Sequence, residues 1–190
     1  MKKLEERIVK DGKVFPGDVL KIDSFLNHQI DVKLMEDIGE EFYQLFKDAK
    51  PNKVLTIEAS GIAIATEVAK RFGYVPVVFA KKAKAANMAG EKYSEKERSY
   101  TRGIEYDVEV AKEFLNSNDK VLVIDDFLAN GEAMNALISI CHQAGAEVVG
   151  AGAVVSKTYQ PGEERIHKMG IHLEVLARVA SMEPGNIQFK

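Results

Sequence analysis

A chain of 190 residues has room for one α/β domain with a good core and is too short for two ordinary domains. With 46% apolar residues and a net charge of −3, it reads as a folded globular protein whose overall field attracts neither nucleic acid nor an anionic membrane. Any anionic ligand must be held by local lysines and backbone amides.

The only cysteine, Cys141, falls at helical spacing among Leu137, Ile138 and Ile140, which suits a buried small hydrophobe rather than a catalytic thiol. One cysteine permits no disulfide within the chain. The start, Met1 to Arg7, lacks the apolar core of a secretory signal. The longest apolar run, 148–155, is far shorter than the ~18 residues a membrane span needs. A cytoplasmic protein is expected.

In chain order, residues 2–10 predict a short charged helix with Leu4 and Ile8 one turn apart. Pro16-Gly17 marks a turn, and Val19 to Ile22 a short strand. A polar loop with apolar anchors follows over 24–31. Asp31 is placed to cap a helix over 33–47, where Leu34, Ile38, Phe42, Leu45 and Phe46 form a stripe. Val54 to Ile57 predicts a buried strand. It runs into Glu58-Ala59-Ser60-Gly61 and a helix ended near Gly73. Val75 to Ala80 predicts the next strand, closed by Lys81-Lys82.

Residues 83–103 contain no Val, Leu, Ile or Phe. Such a segment is too long for an ordinary connection, and its place after a basic strand end favours a functional lid. Ile104 to Val110 alternates and is expected to pair back as a strand. The unit over 120–145 is again strand, loop and helix. A fourth buried strand spans 147–156, a turn-rich loop 156–162, a short helix 163–169 and a last strand 173–179. This rhythm predicts an α/β fold: one open, mostly parallel sheet with helices on both faces, in a single domain over 1–190.

The most informative stretch is Lys120 to Met134. Val121 to Ile124 are apolar and β-preferring, and Asp125 and Asp126 close the strand. The small residues of the loop Ala129-Asn130-Gly131-Glu132-Ala133 let backbone N–H groups approach an anion at the start of the next helix. Two carboxylates do not suit a phosphate directly at the strand end. They suit sugar hydroxyls or Mg²⁺. A ligand with a ribose in the middle and a phosphate at one end fits both features.

Val121-Leu-Val-Ile-Asp125-Asp126-Phe-Leu-Ala129-Asn130-Gly131-Glu132-Ala133 resembles the phosphoribosyl pyrophosphate (PRPP) motif of type I phosphoribosyltransferases. Most of that family has Thr-Gly-x-Thr in the loop. Asn130 and Ala133 stand where the threonines would, which removes two hydroxyl contacts to a 5′-phosphate. With Asp125 to Gly131 intact, the variant is similar to the bacterial xanthine-specific branch.

The resemblance implies transfer of the phosphoribosyl group of PRPP to xanthine, releasing pyrophosphate, with Mg²⁺ carried mainly by PRPP and water and no protein metal ligand firmly assigned. It implies that Asp125 and Asp126 hold the ribose hydroxyls beside the reacting carbon, and that 129–133 hold the 5′-phosphate. It further assigns Ala59, Ser60, Gly61 and Lys81, with Lys82 as a second lysine, to pyrophosphate, and Leu20, Asn27 and Lys157 to the base. Segments 1–32 and 157–190 would form a hood over the base, and a homodimer is expected. The alternatives are a phosphoribosyltransferase for guanine, hypoxanthine or adenine, and a PRPP-sensing regulator without catalysis. His28 has no second His or Cys nearby in sequence and reads as a loop hydrogen-bonding residue.

Overall fold

The computed structural model describes residues 1–83, 90–99 and 104–190. Its elements are α1 (Lys2–Asp11), β1 (Lys13–Phe15), β2 (Val19–Lys21), α2 (Val32–Phe46), β3 (Lys53–Ile57), α3 (Gly61–Arg71), β4 (Val77–Ala83), β5 (Lys92–Ser99), β6 (Ile104–Ala111), β7 (Lys120–Leu128), α4 (Glu132–Gln143), β8 (Glu147–Lys157), α5 (Gly162–Lys168), β9 (Leu173–Glu183) and β10 (Asn186–Phe189). Residues Asp23–Asn27 form a wide helical turn between β2 and α2. The N-cap expected at Asp31 is present, its side chain accepting from the Leu34 N–H at 3.1 Å.

One eight-stranded sheet runs in the order β10-β9-β8-β7-β3-β4-β6-β5. The five strands from β9 to β4 are parallel, and antiparallel strands flank them at both ends. Helices cover both faces, as the apolar patterning requires. Alternation along β7 divides the core: Leu122 and Ile124 face α1, α2 and α3, whereas Val121 and Val123 face α4 and α5. Two glycines in β8 are spaces for aromatic rings from α2. A Cβ on Gly150 would lie 2.5 Å from the Phe46 ring, and one on Gly152 would lie 2.6 Å from the Phe42 ring.

From β3 the chain steps to β4 on one side, and from β7 it steps to β8 and β9 on the other. The carboxyl ends of β3 and β7 therefore meet at the topological switch point, where open α/β sheets form a crevice. The loops 58–61 and 129–133 leave the sheet there.

Several boundaries differ from the sequence reading. Strand β7 does not close at Asp125-Asp126 but continues to Leu128. Strand β4 likewise runs through Lys81 and Lys82. The expected lid over 83–103 contains a full strand: β5 pairs along β6 from Lys92↔Ala111 to Ser99↔Ile104. Tyr93 of β5 packs on the core, and Ser94 and Glu95 accept hydrogen bonds from α4. Polar composition hid this strand because it is an edge strand that buries little. The remaining parts of that lid, 84–89 and 100–103, lie outside the described residues. Within the expected C-terminal hood segment, 157–190, strands β9 and β10 belong to the main sheet, and the loop after β8 meets the β1–β2 hairpin.

Candidate active site

Asp125 is 3% exposed at the end of β7, on the same side of the strand as Val121 and Val123. Its Oδ1 accepts the N–H of Asp126 at 2.9 Å. Burial, and then the neighbouring charge of Asp126, push its pKa well above the usual carboxylate range; the charge of Lys82 acts in the opposite direction. The helix after β3 packs against this pair. A Cβ on Gly61 would lie 2.0 Å from Thr56 Oγ1 and 3.6 Å from Asp125 Oδ1, so only glycine fits there.

The 129–133 loop is held from behind by α5. The Gly162 N–H donates to the Ala129 carbonyl at 3.1 Å, and a Cβ on Gly162 would lie 2.3 Å from the same oxygen. Gly131 has a φ of 79°, the left-handed conformation that glycine adopts at no steric cost. It caps α4, so the first amides of that helix lack intrahelical partners. Arg165 pairs with Glu132 at 2.6 Å, offsetting the one negative charge of the 129–133 loop at the positive end of α4.

The two lysines near the end of β4 face opposite sides of the sheet. Lys82 lines the crevice beside 129–133. Its Nζ lies 4.9 Å over the Tyr106 ring, and its backbone N–H donates to Glu58 Oε1 at 2.7 Å. Lys81 alternates to the opposite face, where it lines a separate cavity of about 750 Å³ with Phe79, Glu109 and Phe114. That second cavity is the larger of the two, but the 129–133 loop lines the smaller one. Ala59, Ser60 and Gly61 form the turn into α3, and the peptide bond between Glu58 and Ala59 is cis.

The crevice itself has a volume of about 590 Å³ and is lined by Leu20, Lys82, Tyr106, Phe127, the 129–133 loop and Lys157. Leu20 enters it from β2 and Lys157 from the end of β8. Asn27 joins the site differently: its side-chain N–H₂ donates to Asp126 Oδ2. Sequence reasoning missed Tyr106, Phe127 and Glu97 in this lining. Phe127 carried a usable signal, since it continues the strand past the acidic pair. Glu97 is 7% exposed beside Tyr106, whose hydroxyl pKa is raised by burial and then by Glu97.

Among the described residues, no three His, Cys, Asp or Glu side chains gather as a metal cage. The two adjacent carboxylates offer an edge only, which fits a hard cation that keeps its waters and arrives on substrate oxygens. No helix is long and apolar enough to cross a membrane, again among the described residues.

The phosphoribosyl transferase domain model matches residues 22–182, taking in β3, β7 and the loops 58–61 and 129–133. The chain belongs to the phosphoribosyltransferase family. It is 51% identical to the xanthine phosphoribosyltransferase of Bifidobacterium adolescentis, with both chains covered in full. It is 54% identical to that of Lachnoclostridium phytofermentans, covering 100% of this chain and 98% of the relative. Among solved structures, the fold is shared with the adenine phosphoribosyltransferase of Thermoanaerobacter pseudethanolicus. The TM-score is 0.77 at 22% identity, over 92% of this chain and 99% of that one. The enzyme of Giardia lamblia complexed with 9-deazaadenine gives 0.78 at 22% identity, over 94% and 98%. The family membership accounts for the expected fold, and the open, mostly parallel sheet read from the sequence is the one found.

Proposed function

We propose that this phosphoribosyltransferase transfers the 5-phosphoribosyl group of PRPP to xanthine, giving xanthosine 5′-monophosphate and pyrophosphate in purine salvage. The observation that carries the reading is the contact between Asn27 and Asp126. A residue assigned to the base touches a residue assigned to the ribose, as a reaction that joins base to ribose requires. The full-length similarity to xanthine phosphoribosyltransferases supports the same substrate.

Displacement of pyrophosphate from C1 puts positive charge on the ribose ring and negative charge on the leaving group. No nucleophilic side chain is needed, and positioning with electrostatics supplies the acceleration. Asp125 and Asp126 accept from the ribose hydroxyls and face the developing cation. The amides of 129–133 and the start of α4 hold the 5′-phosphate. Ala59, Ser60, Gly61 and Lys82 receive pyrophosphate, and Lys82 takes the role expected of Lys81. Leu20, Asn27 and Lys157 contact the base, roofed by the β1–β2 hairpin and the loop after β8. Mg²⁺ bound to the pyrophosphate oxygens would neutralise the charge that develops there.

A homodimer is part of the same reading. Phe79 and Phe114 are 40% and 53% exposed beside the cavity that holds Lys81, an apolar rim that supports subunit contact. The test of the function is direct: incubate the protein with PRPP, Mg²⁺ and xanthine, guanine, hypoxanthine or adenine separately, and quantify nucleotide. Preferential formation of xanthosine monophosphate is the expected result. No nucleotide from any base would overturn the proposal.

A further inference from the structure

Three donors from the loop after β8 converge on one residue of the β1–β2 turn. Asp18 Oδ1 accepts the Tyr159 hydroxyl at 2.6 Å, and Oδ2 accepts Gln160 Nε2 at 2.7 Å. The Lys157 ammonium donates to the Asp18 backbone carbonyl and lies 3.4 Å from Oδ2. These partners are 139 to 142 residues away in the chain. Lys157 is 8% exposed, so its ammonium is committed to a small set of partners rather than to bulk water.

Asp18 also has a φ of 62°, a conformation few L-residues adopt and Asp tolerates better than most. The carbonyl that meets Lys157 and the carboxylate that meets Tyr159 and Gln160 both depend on that turn. The long stem of an unrestrained lysine has several rotatable bonds and loses entropy when a ligand fixes it. A carboxylate that pins the loop and the ammonium together removes that loss from base binding.

We propose that Asp18 is the positioning residue for Lys157, holding the ammonium in the crevice by clamping the loop 157–160 to the β1–β2 turn. This rests on the reading of Lys157 as a contact to the base. Asp18 acts through Lys157 and touches no reacting atom.

Glycine at this position keeps the left-handed backbone and its carbonyl but removes the carboxylate, so Asp18→Gly isolates the clamp. The expected result is a rise of about tenfold in KM for xanthine, with kcat and KM for PRPP within about twofold of the parent. Asp18→Asn keeps one acceptor oxygen and should recover part of that rise. In the double-mutant cycle, Asp18→Gly should have little further effect once Lys157→Met is present, because the two act as one unit. Thermal unfolding of each variant reports whether the fold survives.

An unchanged KM for xanthine in Asp18→Gly, or an equal rise in KM for PRPP, overturns the assignment. So do additive effects in the cycle. If Lys157→Met itself leaves KM for xanthine unchanged, the base-contact reading has failed first, and the inference falls with it. If Lys157→Met weakens xanthine while Asp18→Gly does not, the reading stands and the positioning role alone is overturned.

Discussion

The side-chain N–H₂ of Asn27 donates to Asp126 Oδ2 across 99 residues of chain. An ionised carboxylate only accepts, so the contact decides which way the Asn27 amide is turned. Its nitrogen faces the carboxylate of Asp126. The second hydrogen on that nitrogen remains to serve a ligand. The wide turn Asp23–Asn27 thus reaches the acidic pair of β7.

The acidic pair is expected to matter for turnover more than for folding. On the proposed reaction, Asp125→Asn and Asp126→Asn each replace a carboxylate beside the oxocarbenium-like centre with a neutral amide. Each should lower kcat on the order of 10²-fold or more, with the far-ultraviolet circular dichroism unchanged. Parent-like rates in both variants would remove the pair from the mechanism.

Asp125 should also trade stability for function. Its pKa is raised by burial, so the folded state holds the proton more tightly than the unfolded chain does. Stability therefore falls as pH rises from the ordinary value of 3.8 toward the raised one, because ionisation then favours the unfolded state. Without substrate or Mg²⁺, Asp125→Asn should raise Tm at neutral pH by about 2–4 °C for each kcal/mol recovered. The gain should vanish at pH values near and below the ordinary carboxylate pKa. A variant that is less stable than the parent at pH 7 would show that the buried charge is well compensated.

The two lysines of β4 separate two assignments. Lys82→Met should lower kcat/KM for PRPP by about 10- to 100-fold, the loss of one charged contact in a closed site. Lys81→Met should have a much smaller effect on the same constant. The reverse order would return the pyrophosphate contact to Lys81 and would require that side chain to act away from this crevice.

How much was legible in the sequence followed how local each feature is. Asp125 to Ala133 carry the acidic pair and the glycine loop before α4 within one contiguous stretch, and the open parallel sheet follows from the βαβ rhythm. The choice between Lys81 and Lys82 was not legible. Neighbouring residues of a strand face opposite sides, so an end misplaced by a few residues leaves the facing side undecided. Leu20, Asn27 and Lys157 stood out only through resemblance, because they come from separate elements. Asp18, Tyr106 and Glu97 are joined to the site purely by tertiary contacts, and nothing near them in sequence signals it.

The support of the phosphate loop by α5 is testable through Gly162. A methyl group there would sit 2.3 Å from the Ala129 carbonyl oxygen and 3.1 Å from the Gly131 nitrogen. Neither backbone atom can yield without moving the 129–133 loop. Gly162→Ala should destabilise the protein by about 1–3 kcal/mol and raise KM for PRPP more than KM for xanthine. Equal effects on both constants would show that the loop and the base site move together.

The orientation of Asn27 makes the sharpest prediction. Xanthine has a carbonyl oxygen at C2 and guanine has an amino group, so the free hydrogen on Asn27 Nδ2 complements xanthine and meets guanine donor to donor. Asn27→Asp replaces that donor with acceptors only. It also sets a carboxylate against Asp126, so catalytic efficiency should fall with both bases through like-charge repulsion. The ratio of efficiencies is free of that shared loss. A matched hydrogen bond in a closed site, or an unpaired partner, is worth ~1–3 kcal/mol, roughly 5- to 150-fold in preference. The ratio of kcat/KM for xanthine over guanine, with PRPP saturating, should therefore fall by a factor in that range. A ratio that stays within about twofold, below the smallest loss a broken hydrogen bond produces, would leave Asn27 as a support for Asp126 with no part in choosing the base.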